Sequence, residues 1–275
     1  MSTPGSEPIE GPMRYQSTCG LSPAQTTELI ARAWDVHQGR RPGERYDFTL
    51  PFGQAVVMIL ILVRHNLAQQ LTGDLYGVSQ ATVSRVYRYL LPILGMVTMM
   101  DRTHLADALT SGVVLVDGTP IPTGNRTATG KENFNGKHRK QALNVQVAAW
   151  PDGTLAAVSA PVPGRRHDSA ALRLVGWADQ IAHARHQNPD LAVVADSAYG
   201  AHTEWAARPK PANEPRPAED VHFNRAIASF RAPVERAIAL LKQWRILSNG
   251  YRGRLTELPT IIHVIANLEF YRLAT

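Results

Sequence analysis

Apolar positions recur at helical spacing up to about residue 107; beyond it, short apolar runs of strand type take over. Residues 1–20, with Pro4, Gly5, Pro8 and Pro12, carry no period and read as a flexible lead-in. A helix is predicted from Ser22-Pro23, a cap followed by proline at the first helical position, through Leu29, Ile30, Ala33 and Trp34. Gly39-Arg40-Arg41-Pro42-Gly43 breaks it as a solvated loop. A strongly apolar helix follows from Pro51 to about His65, with Phe52, Val56, Ile59, Leu60 and Val63. Leu67 to Leu71 then reads as a short helix, Asp74 to Val78 as a turn, and Ser79 to Leu90 as a second helix capped by Ser79. In that second helix Val83, Val86, Tyr87 and Leu90 fall at i, i+3, i+4 and i+7 and face inward. Gln80, Ala81, Ser84, Arg85 and Arg88 are left outside, a pattern that suits a helix-turn-helix entering a DNA major groove. An ordinary helical bundle with a solvated face has the same pattern. Leu91-Pro92 closes the unit, and Met96 to Asp107 reads as a link to the next domain.

The second half is organised around Val113-Val114-Leu115-Val116-Asp117-Gly118-Thr119, a buried strand with an acid at its end. The pattern returns at Leu191 to Ser197, where Asp196 takes the same position. Between them, Leu143-Asn144-Val145-Gln146-Val147 alternates with period two. It leads through Asp152-Gly153 into Leu155 to Val158, which predicts a hairpin. Asp168-Ser169 caps an intervening helix that carries Leu172, Leu174 and Val175. The layout is α/β, with parallel and antiparallel pairs mixed. Two carboxylates on one sheet edge repel each other unless something positive bridges them, and a divalent cation on oxygen ligands does so.

After Gly200 a proline-rich stretch, Arg208 to Pro217, reads as loop. Helix resumes near Asn224, with Val234, Ile238 and Leu241 as its apolar stripe. Glu235 lies at the margin of that stripe, and Lys242, seven residues on, projects from nearly the same side. Pro233 either starts this helix or kinks it. Ile261 to Leu268 reads as a packing helix in which His263 is a core histidine.

Charge and cysteine content narrow the class. Across 275 residues, 29 Lys plus Arg against 23 Asp plus Glu give +6, which fits a polyanionic partner. The basic run Lys137-His138-Arg139-Lys140 ends a polar loop from Asn125 and reads as a phosphate-backbone contact or a solvated loop. The single cysteine, Cys19, excludes an intramolecular disulfide framework. The Met1 end lacks the basic-then-apolar order of a signal peptide, and the longest apolar run, Ala55 to Val63, is too short to span a bilayer. The expectation is a protein of the cytoplasm, associated with the nucleoid, without a membrane partner.

The order is Asp on one strand, a hairpin, Asp on a second strand, an insert, then Glu on a helix. It resembles the catalytic domain of DDE transposases, and more closely bacterial insertion-sequence transposases with a DDE superfamily endonuclease domain, related to the Harbinger group. The residues that carry the resemblance are Val116-Asp117-Gly118-Thr119, Asn133-Phe134-Asn135-Gly136-Lys137, Pro163 to Ser169, Ala195-Asp196-Ser197-Ala198-Tyr199-Gly200, and Arg231 to Lys242.

The resemblance implies a helical region at 21–107, with the helix-turn-helix at about 66–91. An RNase H-like mixed-sheet endonuclease domain would then occupy 108–275. It implies a triad of Asp117, Asp196 and Glu235 binding two Mg²⁺ or Mn²⁺ ions. Arg231 and Lys242 match the family's Arg-x3-Glu-x6-Lys pattern and would meet DNA phosphate. Ala228 stands where a fuller form of the pattern has tyrosine, and His167 and Asp168 match a His-Asp pair near the site. The implied partners are double-stranded DNA, as terminal inverted repeats and target, and a second copy of the chain. The alternative expectation is a non-enzymatic DNA-binding regulator derived from such an element.

Overall fold

The structure, a computed structural model, describes residues 15–124, 131–137, 139–212 and 215–274. Most of the expected lead-in, and most of the polar loop from Asn125 with His138, lie outside the described residues. The chain divides into two compact units: residues 1–102 with 242–249 and 260–275, and residues 103–241 with 250–259.

The first unit is helical: α1 (Tyr15–Thr18), α2 (Pro23–Gly39), α3 (Phe52–His65), α4 (Gln69–Tyr76) and α5 (Gln80–Val97). Ser22 opens α2 through a capping box with Gln25. Helix α3 is buried along nearly its whole length, from Phe52 to Val63. Each large aliphatic side chain withdrawn there contributes about 1.5–3 kcal/mol of transfer free energy. Asn66 ends α3 in a left-handed conformation, and Gly77 does the same for α4. Gly73 is required by the tight turn into α5, because a Cβ there would lie 2.5 Å from the Val78 carbonyl oxygen.

Ser79 caps α5, and Val83, Val86, Tyr87 and Leu90 are buried as the spacing predicts. The expected stop at Leu91-Pro92 does not occur. Helix α5 runs on to Val97 with Pro92 inside it, because Pro92 is exposed while Ile93, Leu94 and Gly95 are buried beyond it.

Two later segments return to this unit. Trp244 is fully buried, stacks under Arg64, and donates from Nε1 to Glu269 Oε2 at 2.9 Å. Glu269, itself buried, is paired with Arg272. The C-terminal helix, Leu258–Ala274, comes close to α5 at Gly95, where a Cβ would lie 2.7 Å from a Val264 methyl. The hydrophobic side chains of 260–274 thus find their core with the helices, although the chain reaches them last.

The second unit is built on a six-stranded mixed sheet, preceded by α6 (Leu105–Ala108). Its strands are β1 (Val113–Pro122), β2 (Phe134–Asn135), β3 (Lys140–Ala149), β4 (Leu155–Val158), β5 (Val162–Pro163) and β6 (Ala192–Val194). Strand β1 lies between β3, which is antiparallel to it, and β6, which is parallel. Strands β2, β5 and β4 line the far edge of β3 in turn. The expected single intervening helix is two, α7 (Asp168–Leu174) and α8 (Trp177–Gln187), parted by Gly176 in a left-handed conformation. Val114, Val116, Val193 and Ala195 form one core with Leu172, Trp177 and Ile181 of these helices. Helix α9 (Ala218–Leu241) starts six residues before the expected Asn224 and is continuous through Pro233. It buries Ile227, Val234, Ala237 and Leu241. The helical region followed by this mixed α/β sheet is the RNase H-like architecture expected from the sequence.

Candidate active site

Asp117 does not end its strand. Strand β1 continues to Pro122 because antiparallel β3 pairs with it as far as Pro122↔Ala142. What stops is the other neighbour: the parallel pairing with β6 ends at Leu115↔Val194. Asp117 and Asp196 each lie two residues beyond that last pair. Side chains alternate along a strand, so two residues beyond a matched pair they leave the same sheet face. Both point away from the core formed by Val116 and Ala195. Asp196 also caps the 3-10 turn Ser197–Tyr199, accepting from the Ala198 amide at 2.8 Å.

Helix α9 supplies the positive group. Arg231 Nη2 donates to Asp117 Oδ2 at 2.8 Å, and the two side chains are only 15% and 16% exposed. Asp117 Oδ1 accepts from the Gly118 amide at 2.8 Å. Burial raises the Asp117 pKa, the guanidinium opposes that, and the charges of Asp196 and Asp168 push it further up. Arg231 Nε is buried without a hydrogen-bond partner, so this cation has donor capacity to spare beside the acids. The donor set is hard carboxylate oxygen, and a positive charge is already seated on Asp117. Carboxylate oxygens are the donor type that a divalent cation such as Mg²⁺ or Mn²⁺ takes. Among the described residues, no three His, Cys, Asp or Glu side chains gather into a single metal-binding group.

The remaining expected residues are placed less uniformly. Glu235 is exposed on α9, one turn beyond Arg231. Lys242 follows the last residue of α9, so the regular seven-residue repeat with Glu235 does not extend to it. Burial holds its amine below the usual lysine pKa. Ala228 is exposed on the same helix. His167 is exposed and precedes α7 without a side-chain capping bond.

Asp168 packs against Gly118, the residue after Asp117 on β1. Its Oδ1 lies 2.4 Å from where a Cβ would stand on Gly118, so only glycine fits beside it. Asn144 Nδ2 donates to that oxygen at 2.8 Å. Asn144 and Gln146, read from sequence as the polar side of an alternating strand, are 3% and 0% exposed. Strand β3 is paired on both edges, and that is the signal that its polar positions are enclosed rather than wet.

The basic loop residues Lys137, Arg139 and Lys140 are all exposed, and Arg139 is in a left-handed conformation (φ 49°). On α5, Gln80, Arg85 and Arg88 are exposed and Ser84 is half-buried. Gln80 donates to Gln69 Oε1 of α4 at 2.7 Å, and Arg88 donates to Ser84 Oγ at 3.1 Å.

Two family models match the chain. A helix-turn-helix of DDE superfamily endonuclease covers residues 48–96, and a DDE superfamily endonuclease covers residues 116–269. No curated relative and no solved structure matched it. The second match takes in Asp117, Asp196 and α9, and the first takes in α3 to α5 up to Met96. The chain belongs to the DDE superfamily endonucleases and carries the family's helix-turn-helix ahead of its mixed-sheet domain.

Proposed function

We propose that this protein is a DNA transposase that binds the ends of its element, cleaves phosphodiester bonds and joins the freed 3′ ends to target DNA. The observation that carries the proposal is Asp117 and Asp196 leaving one face of adjacent strands, with Arg231 seated on Asp117. Asp117, Asp196 and Glu235 would hold two Mg²⁺ or Mn²⁺ ions, which polarise the attacking and leaving oxygens of an in-line displacement. Asp117 and Asp196, on rigid sheet positions, fix the anionic ligands. Glu235 supplies the third carboxylate from α9. Arg231, with an unused buried donor, passes from Asp117 to a non-bridging phosphate oxygen as DNA enters, because a guanidinium matches phosphate geometry. Lys242 supplies a second positive charge for DNA phosphate. The low proton affinity imposed by its burial makes an approaching phosphate a favourable partner.

Gln80, Ser84, Arg85 and Arg88 on α5 read the element end. Lys137, Arg139 and Lys140 contact backbone phosphate. Joining two ends calls for two copies of the chain on DNA, and the working compartment is the cytoplasm, on the nucleoid. No described helix is long and apolar enough to cross a membrane.

The test is cleavage of DNA carrying the element ends, with Mg²⁺ or Mn²⁺, by the wild-type chain and by Asp196→Ala. Cutting that needs metal and is lost in the variant, with end binding retained, is the expected result. End binding without cutting by the wild type under both metals would overturn the enzymatic reading in favour of a DNA-binding regulator.

A further inference from the structure

Between α2 and α3 the chain carries Arg40, Arg41 and Arg45 against one nearby acid, Glu44. Read from sequence this is a solvated break, yet in the structure it is tied to α5. The Arg40 guanidinium lies over the Tyr89 ring, 4.9 Å from its centroid. Tyr46 and Phe48, which follow the loop, pack against the same ring at 5.6 and 5.7 Å. The Tyr89 hydroxyl lies 2.8 Å from His37 Nδ1, near the end of α2, which fixes the ring from its far end. Arg45 uses its own guanidinium to hold the loop together. Its Nε donates to the Arg40 carbonyl at 2.9 Å, and its Nη2 donates to the Gln38 carbonyl. A short 3-10 turn, Pro42–Glu44, completes the loop.

The place on α5 to which the loop is tied matters. Arg85 and Tyr89 are four residues apart, so they share one row of the helix, about 6 Å apart along its axis. Arg85 and Arg88 are exposed and Tyr89 is half-buried. Arg40 thus continues the basic row of α5 by one turn, with a cation that comes from another element. Arg41, beside it in the chain, is exposed. None of the three loop arginines enters an ion pair among the described residues. A helix lying in a groove about 12 Å wide brings its later turns, and a loop fixed beside them, up to the phosphates that flank the groove. A guanidinium stacked on an aromatic face keeps its charge and its outward N–H donors, and it suits phosphate.

We propose that Arg40 and Arg41 form a second phosphate-backbone contact, held beside α5 by Tyr89 and Arg45, that extends the DNA footprint of the helix-turn-helix. This rests on the reading of α5 as the DNA-binding helix. It adds to that reading a loop that lies ahead of residue 48, where the match to the family's helix-turn-helix begins. Because the loop is already ordered, its cations meet DNA without the entropy cost of arranging them.

The test is fluorescence anisotropy of the full-length protein on a labelled duplex of random sequence, across a salt series and without divalent metal. Phosphate contacts do not depend on sequence, so this probe reports them alone. Arg40→Gln with Arg41→Gln should reduce the slope of log association constant against log salt by about 2, one phosphate for each arginine. A wild-type slope in that variant would overturn the proposal. Tyr89→Leu changes no charge and removes only the ring that seats Arg40. Its slope should fall by about 1, whereas Tyr89→Phe, which keeps the ring, should match the wild type. A folded Tyr89→Leu protein with the wild-type slope would count against the placement of Arg40; thermal midpoints establish folding in each case. If Tyr89→Leu does not fold, the arginine pair decides. A wild-type protein whose binding to the duplex does not weaken with salt would instead defeat the helix-turn-helix reading on which the proposal stands.

Discussion

At the scale of single residues, the most constrained position is Gly118. Its neighbours on the missing side-chain side are Asp168 Oδ1 at 2.4 Å and Tyr199 Oη at 3.0 Å from an ideal Cβ. Neither can move cheaply, because Tyr199 is buried and bonded to Gln146 while Asp168 is bonded to Asn144. Gly118→Ala is therefore an overpacking change, expected to cost roughly 1–3 kcal/mol of stability. It should also lower metal-dependent cutting, because the strain falls on β1 next to Asp117. Urea denaturation and the cleavage assay measure the two effects separately. An alanine variant with a wild-type midpoint and wild-type cutting would show that the contact yields freely. A glycine after the strand aspartate was visible in the sequence, but the reason for it was not. The residues that exclude a Cβ lie dozens of positions downstream, and no local pattern pairs them.

Among the elements, those whose determinants are local were legible and those that depend on a distant partner were not. Helices α2, α3 and α5 announced themselves through caps and periodic apolar positions, and the hairpin of β3 and β4 through Asp152-Gly153. Asp117 and Asp196 could be found because each follows a buried apolar run. That Asp117 sits mid-strand could not, since the length of β1 is set by its pairing with β3. That the polar positions of β3 are enclosed could not be read either, because its pairing on both edges involves distant strands. Pro92 misled because a proline tolerated on an exposed helix face carries the same letter as one that ends a helix. The aromatic cluster behind α5 was also invisible, although it yields a prediction. His37 packs among Trp34, Phe48, Phe52 and Tyr89, and its Nδ1 lies 2.8 Å from the Tyr89 hydroxyl. Burial, then the charges of Arg45 and Arg40, lower its pKa below the usual 6.5. The folded state thus binds a proton less readily than the unfolded chain. The stability it supports is whole above about pH 6.5 and is lost as the pH falls below that value. His202 and His263 are lowered too and act with the same sign. The thermal midpoint should hold between about pH 8 and 7 and fall toward about pH 5.5 in dilute buffer. His37→Gln should make that fall shallower without removing it. An identical pH profile in the variant would mean that His37 protonates without cost.

For the whole molecule the governing quantity is charge, because a net +6 chain meets a polyanion through a small number of positioned cations. Binding that neutralises phosphates releases counterions, so the logarithm of the association constant falls with the logarithm of salt concentration by about 0.9 for each phosphate contacted on duplex DNA. Arg85 and Arg88 are exposed on α5 and carry their charge into solvent. If each meets one phosphate, Arg85→Ala with Arg88→Ala should reduce the salt slope by about 2 and weaken element-end and random DNA alike. Gln80 should behave differently. It bonds Gln69 in the free protein, so it has an amide to redirect toward a base edge but no charge to release. Gln80→Ala should leave the slope unchanged and cost about 1–3 kcal/mol of discrimination between element-end and random DNA. Fluorescence anisotropy on both DNAs, across a salt series and without divalent metal, separates these outcomes. An unchanged slope in the double arginine variant would remove α5 from the phosphate interface, whereas an unchanged specificity ratio in Gln80→Ala would remove that side chain from base recognition. Asp196→Ala, measured in the same series, should match the wild type in both slope and specificity, because the proposed function assigns its carboxylate to cutting and not to the encounter with DNA.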